Sequence, residues 1–244
     1  MMDSGLVVLG LAMLPALGNF SGGLIAEWLP PSQKTLNYAL HAATGIILGV
    51  VAVEVMPAAL RSAPIWLLAA AFMAGGGAYL LMEAGVKHWQ RSKEDGAGAG
   101  AWMVYLAVAT DLVGDGLLIG TGSAVSSKMA LILALGQILA DIPEGFATIT
   151  NFRDKGVDRS KRLLISASFV FPVVGAAALS YFVLRGLNEY WKMAGLVFVS
   201  GLYLLAAVED MMQEAHESSG DSRWSAFSLL AGFTIFLMIS GGLG

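Results

Sequence analysis

Residues 101–151 read AWMVYLAVATDLVGDGLLIGTGSAVSSKMALILALGQILADIPEGFATITN. The stretch holds two apolar runs, near 101–125 and 128–151, each long enough to cross a bilayer as a helix. Four carboxylates stand inside them. Asp111 and Asp115 lie in Asp-Leu-Val-Gly-Asp-Gly, and Asp141 and Glu144 in Ala-Asp-Ile-Pro-Glu-Gly. Spacings of four and three put each pair on one helix face. Lys128, at a boundary, is the only cation in the stretch, so the interior of neither run carries a base to neutralise the acids. One Asp at the centre of a bilayer helix costs roughly 2.5–3.5 kcal/mol, and four uncompensated anions on the order of 10 kcal/mol. Bound cations, bound protons or both must offset that cost. The pattern points to cation handling within a membrane.

Composition agrees. The chain has 244 residues, 57% hydrophobic and 13% charged, with a mean hydropathy of +0.71. Soluble domains are nearer a quarter charged, so a polytopic membrane protein is expected. There is no cysteine, which excludes disulfides and thiolate metal ligation. The net charge of −4 says little about partners, because many of the acids fall inside apolar runs, and no feature points to nucleic acid. Met-Met-Asp-Ser at the start has no basic n-region, which predicts a retained first helix, not a cleaved signal.

Apolar segments predict eight helices, near 5–28, 36–60, 64–88, 101–125, 128–151, 161–185, 191–214 and 224–243, forming a single transmembrane domain over 1–244. The third and seventh are the least clean, since Glu83, Glu209 and Asp210 fall near their ends. A flexible joint is expected over Gln90–Gly100. With both termini outside, the inner loops hold ten cations: Lys34; Lys87, Arg91 and Lys93; Arg153, Lys155, Arg159, Lys161 and Arg162; and Arg223. The outer loops hold four: Arg61, Lys128, Arg185 and Lys192. The excess favours that orientation. The run from Arg153 to Arg162 is read as a topology signal.

An internal symmetry is legible. Ala52-Val53-Glu54-Val55-Met56 resembles Ala207-Val208-Glu209-Asp210-Met211, and Asp-x-x-x-Asp-Gly resembles Asp-x-x-Glu-Gly, each between helices of opposite direction. Inverted repeats of this kind place a substrate site near the membrane midplane. By depth, the acids trace a path: Glu54 toward the outer side, then Asp111, Asp115, Asp141 and Glu144 at the centre, then Glu209 toward the inside. Asp210, Glu214, His216 and Glu217 extend it to the inner mouth.

Carboxylates bind divalent ions through oxygen, and three or four supply enough charge to compensate dehydration. Pro143 removes a backbone donor and crowds the Leu139 carbonyl beside the acids, while Gly114 and Gly116 flank Asp115. Other features read as ordinary. Gly75-Gly76-Gly77 and Gly241-Gly242 suit helix packing, and the twelve Met suit apolar filler. His41 reads as a capping or interfacial residue, with a ligand role as the alternative; His88 beside Trp89, and Trp28, Trp66 and Trp191, read as interfacial anchors.

Asp111-Leu112-Val113-Gly114-Asp115-Gly116, Ala140-Asp141-Ile142-Pro143-Glu144-Gly145 and the run Glu209 to Glu217 resemble the metal motifs of the ZIP (Zrt/Irt-like) divalent metal transporter family, its GufA-like bacterial branch in particular. The helix-four motif of that family usually reads His-Asn-x-x-Asp/Glu-Gly. Asp111 and Leu112 replace its His and Asn, and Ala140 replaces a polar residue before Asp141. The sixth span offers only Ser166, Ser168 and Ser180. A harder, oxygen-rich, single site follows, tilted toward Mn²⁺ or Fe²⁺ without excluding Zn²⁺.

Residues and resemblance together predict an all-α polytopic membrane protein with eight transmembrane helices in a 3+2+3 arrangement with inverted repeats. Expected is a divalent transition-metal transporter (Zn, Mn or Fe class) of the cell (inner) membrane, not an enzyme, taking the ion toward the cytoplasm by alternating access. Asp111, Asp115, Asp141, Glu144, Glu54 and Glu209 are the expected metal residues, with Glu214, His216 and Glu217 as an exit path. The ion is substrate, with no prosthetic group; lipid is a partner and a homodimer stays open. The rivals are a proton-coupled exchanger or other cation or solute carrier using the same acids, a membrane-embedded phosphotransferase, and a non-transporting scaffold with an eroded helix-four motif. The three residues between Asp111 and Asp115, where that chemistry's motif has two, and the absence of a following Arg speak against the second.

Overall fold

The computed structural model describes residues 4–29, 32–91, 99–218 and 220–243, and among them there is no strand. Eight helices are long and apolar enough to span a membrane: α1 (Ser4–Trp28), α2 (Gln33–Ser62), α3 (Ile65–Arg91), α4 (Ala99–Val125), α5 (Ser127–Asp154), α6 (Arg159–Leu184), α7 (Glu189–Glu217) and α8 (Arg223–Leu243). All eight sequence-derived segments are thus found, with ends displaced by a few residues. Met1–Asp3 and most of the expected joint, residues 92–98 with Lys93, lie outside the described residues.

The helix ends follow local chemistry. Ser32, Ser126 and Asn188 cap α2, α5 and α7, each side-chain oxygen accepting from the backbone N–H three residues on. Pro64 follows the end of α2, and Gly156 at φ +73° turns the chain out of α5. α6 breaks at Phe169 because Pro172 lacks the N–H that would bond Ser168 and its ring crowds that carbonyl. α5, by contrast, runs through Pro143 unbroken.

Two helices carry a wider turn with i→i−5 bonding. In α2 it covers Val50–Val55, where Met56 N–H bonds the Val51 carbonyl; in α7 it covers Ala207–Met211, where Met212 N–H bonds Ala207. These are the two segments whose sequences resemble one another. Such turns insert a residue and re-aim side chains, often at functional positions.

Packing forms two groups. α1 lies along α5 and α4 along α6; α2 lies along α8 and α3 along α7. The groups meet chiefly where α2 touches α5 and α4 touches α7. Crossings depend on glycine: a Cβ on Gly22 would stand 1.9 Å from the Ile142 carbonyl oxygen, and one on Gly145 1.8 Å from that of Asn19. That brings α1 against α5 beside Glu144. Gly75 meets α7 in the same way, at Phe198, whereas Gly77 meets nothing. Trp28, Trp66 and Trp191 are exposed, as interfacial anchors would be.

Arg162, taken as part of a topology signal, is buried and forms a two-pronged pair with Glu27, at 2.7 and 2.9 Å, with Arg159 at 3.4 Å. This ties the end of α1 to the start of α6.

Candidate metal centre

α4 and α5 are consecutive, antiparallel neighbours, so residues rising on one meet residues falling on the other. Asp111 stands level with Glu144; Asp115, about 6 Å along the axis, stands level with Asp141 and Gln137. Asp111, Asp141 and Glu144 each offer one carboxylate oxygen, and these three atoms lie within 4.8 Å of one another. Asp141 is fully buried, Glu144 is 7% exposed, and Asp111 is half-buried.

The oxygens lack donors. Asp111 Oδ2, both oxygens of Asp141 and Glu144 Oε2 are buried with no hydrogen-bond partner, as are Asp115 Oδ2 and Gln137 Oε1. No Lys or Arg among the described residues pairs with any of the four acids; the ion pairs lie elsewhere. Glu27, with its two arginines, is what a compensated buried acid looks like in this molecule. Buried anions without donors or countercharge are the arrangement a cation completes.

Asp115 plays a different part from Asp111. Gln137 Nε2 donates to Asp115 Oδ1 and also to the Tyr203 hydroxyl oxygen, at 2.5 Å. The network links α4, α5 and α7 just beyond the three-carboxylate cluster. Beyond it in turn, Leu118, Ile119, Ile132 and Leu133 are fully buried and close that end of the bundle.

The other end is open. A cavity of about 500 Å³ runs from Asp111 and Glu144 past Thr148 and Asn151 to Glu214 and Glu217, with Asp210 on its wall. At ~30 Å³ per water it holds more than ten waters, so an ion there stays hydrated until it meets the acids. Asn151 Nδ2 donates to Glu214 Oε1 at 2.9 Å, a bond that crosses from α5 to α7. A second pocket, of about 230 Å³, reaches Asp111 from between α3 and α7, past Tyr79 and Glu83.

The remaining expected residues are not gathered here. Glu54 sits half-buried in the wide turn of α2 and accepts from Ser240 Oγ of α8 at 2.6 Å. Glu209 is exposed; the wide turn of α7 brings Asp210, not Glu209, to the main cavity. His216 lies outside that cavity, with His41 and Asp221.

Sequence reasoning missed Gln137, Tyr203, Asn151 and Asn19. Gln137 had a signal, since it precedes Asp141 by four residues on the same face of α5. Asn19 is fully buried with both amide atoms unpartnered, on the turn of α1 that crosses α5 at Gly145. Comparison with known proteins adds nothing to this geometry: no family model matches the chain, and no curated protein matches it.

Proposed function

We propose that the chain is a divalent transition-metal transporter of the ZIP kind, carrying a Zn-, Mn- or Fe-class ion toward the cytoplasm by alternating access. The observation that carries this reading is the set of donor-free oxygens on Asp111, Asp141 and Glu144 at the closed end of a hydrated cavity. Oxygen ligands alone suit a hard or borderline ion. Dehydration of the ion is offset by carboxylate charge, and Gln137 holds the neighbouring Asp115 through its Oδ1.

The packing supports an inverted repeat in a 3+2+3 arrangement. Exchanging α1 with α6, α2 with α7, α3 with α8 and α4 with α5 maps the most extensive helix pairs onto one another: α1–α5 becomes α6–α4, and α2–α8 becomes α7–α3. The glycine crossings follow, since Gly45 meets α8 opposite Gly232 as Gly201 meets α3 opposite Gly75. With both termini outside, the open cavity faces inward. The group α1, α4, α5 and α6 then slides against α2, α3, α7 and α8, carrying the ion together with the Leu118–Leu133 closure. Release runs by Thr148 and the Asn151–Glu214 bond.

A proton-coupled exchanger is the second reading, favoured by the facing carboxyls of Asp115 and Asp141 and by the acid sequence Asp210, Glu214, Glu217 down the cavity. Flux into proteoliposomes decides between them. Mn²⁺ or Zn²⁺ uptake by wild type, abolished in Asp141→Asn and Glu144→Gln, supports the first. Metal uptake retained by both variants, or pH-driven flux without metal, refutes it.

A further inference from the structure

His41 of α2, His216 near the end of α7 and Asp221 on the segment leading to α8 converge at the same end of the bundle as the cavity mouth, but outside the cavity. One ligand atom from each lies within 4.8 Å of the others. We propose that these three residues form a second, peripheral site for a divalent transition-metal ion of the zinc class, separate from the acid cluster.

The geometry fits such an ion. His41 Nε2 is 3.6 Å from Asp221 Oδ1, and His216 Nε2 is 2.7 Å from Asp221 Oδ2. A tetrahedral zinc ion with bonds of ~2.0–2.1 Å holds its ligand atoms roughly 3.3 Å apart, and one ligand atom from each of the three residues already lies within 4.8 Å of the others. Small side-chain movements suffice, and His216 and Asp221 are about half exposed, so solvent supplies the ion and the fourth ligand.

The surroundings prepare His41 as a ligand. Its Nδ1 lies 2.8 Å from the Asn37 backbone carbonyl, which can only accept. With Nδ1 donating to that carbonyl, Nε2 is the ring atom left to ligate a metal ion, and it faces Asp221. The ring is 3% exposed and cannot turn away into solvent. The Asn37 amide donates to Asp221 Oδ1 at 3.2 Å and to the Ala215 carbonyl at 2.8 Å, and Ser225 Oγ donates to Asn37 Oδ1 at 2.6 Å. One asparagine thus steadies ligands from three segments. Imidazole nitrogens with one carboxylate select a softer ion than the all-oxygen cluster does.

The consequence is mechanical. Glu214 and Glu217 share the last turns of α7 with His216, so an ion here pins the cavity wall to α2. The site stands whether or not the chain transports metal.

The test uses the full chain purified in detergent, in an Asp141→Asn/Glu144→Gln background that removes the acid cluster. Equilibrium dialysis against Zn²⁺ is expected to give one bound equivalent, weakened at least tenfold by His216→Gln. Co²⁺ in place of Zn²⁺ is expected to give the visible absorption of a four-coordinate centre, lost in the same variant. His41→Gln is expected to act alike; because His41 is buried and His216 is exposed, His216→Gln decides. No bound zinc in the background, or zinc held equally well by His216→Gln, overturns the proposal. Absence of metal-driven flux by wild type would instead count against the transport reading alone.

Discussion

Asp141→Asn should make the metal-free protein more stable and the metal-loaded protein less so. Asp141 is fully buried, and neither of its oxygens has a donor. The substitution keeps the shape, removes one uncompensated anion, and adds an amide that donates to a neighbouring carboxylate. The ceiling on the gain is the insertion cost of a membrane-buried Asp, roughly 3 kcal/mol, and repair of an unsatisfied buried group sets a floor near ~1 kcal/mol. At ~2–4 °C per kcal/mol for a chain of this length, the chelated variant should melt several degrees above wild type. Metal reverses the order. At a concentration of 100 Kd, wild type gains about 2.7 kcal/mol, or roughly 5–10 °C, and the variant gains little. The assay is thermal unfolding of both proteins in detergent, with chelator and with Mn²⁺ or Zn²⁺. A residue that merely fills space would lower stability in both conditions; that result would refute the electrostatic reasoning.

Four further outcomes follow from particular contacts. Arg162→Met leaves Glu27, whose side chain is 5% exposed, with only the exposed Arg159, and should cost up to about 3–5 kcal/mol of unfolding free energy, with most of it recovered by adding Glu27→Gln. Gln137→Leu removes the donor that orients Asp115 and should weaken metal binding by about 10–100-fold, measured by dialysis, with little change in fold. Gly145→Val drives a side chain into the Asn19 carbonyl and should destabilise the protein by at least ~1–3 kcal/mol, read from its melting curve. Because the chain has no cysteine, single replacements report access directly: Gln213→Cys, exposed on the cavity wall, should react with a polar thiol reagent, and Leu133→Cys should not.

What the sequence revealed depended on how far each signal reached along the chain. The eight helices were legible because an apolar run of about 20 residues has few other uses. Asp111, Asp141 and Glu144 were legible because an acid at lipid depth is expensive and rarely incidental. Spacing alone grouped Asp111 with Asp115, but α5 runs antiparallel to α4, and one helical turn separates their partners. Glu209 was singled out by its match to Glu54 in the repeat and by its depth, whereas in the wide turn over Ala207–Met211 it is Asp210 that meets the main cavity. Tyr203, Arg162 and the His41–His216–Asp221 group stayed hidden because their partners are remote in sequence. His41 and Asp221 stand 180 positions apart, beyond any local periodicity.

The central claim is that a metal ion supplies the countercharge the protein withholds from Asp111, Asp141 and Glu144. Anomalous-scattering maps from crystals grown with Mn²⁺ or Zn²⁺ test it at the atoms concerned. The account predicts a peak about 2.0–2.2 Å from carboxylate oxygens of all three residues. A map with metal bound elsewhere and no peak among these oxygens would contradict it.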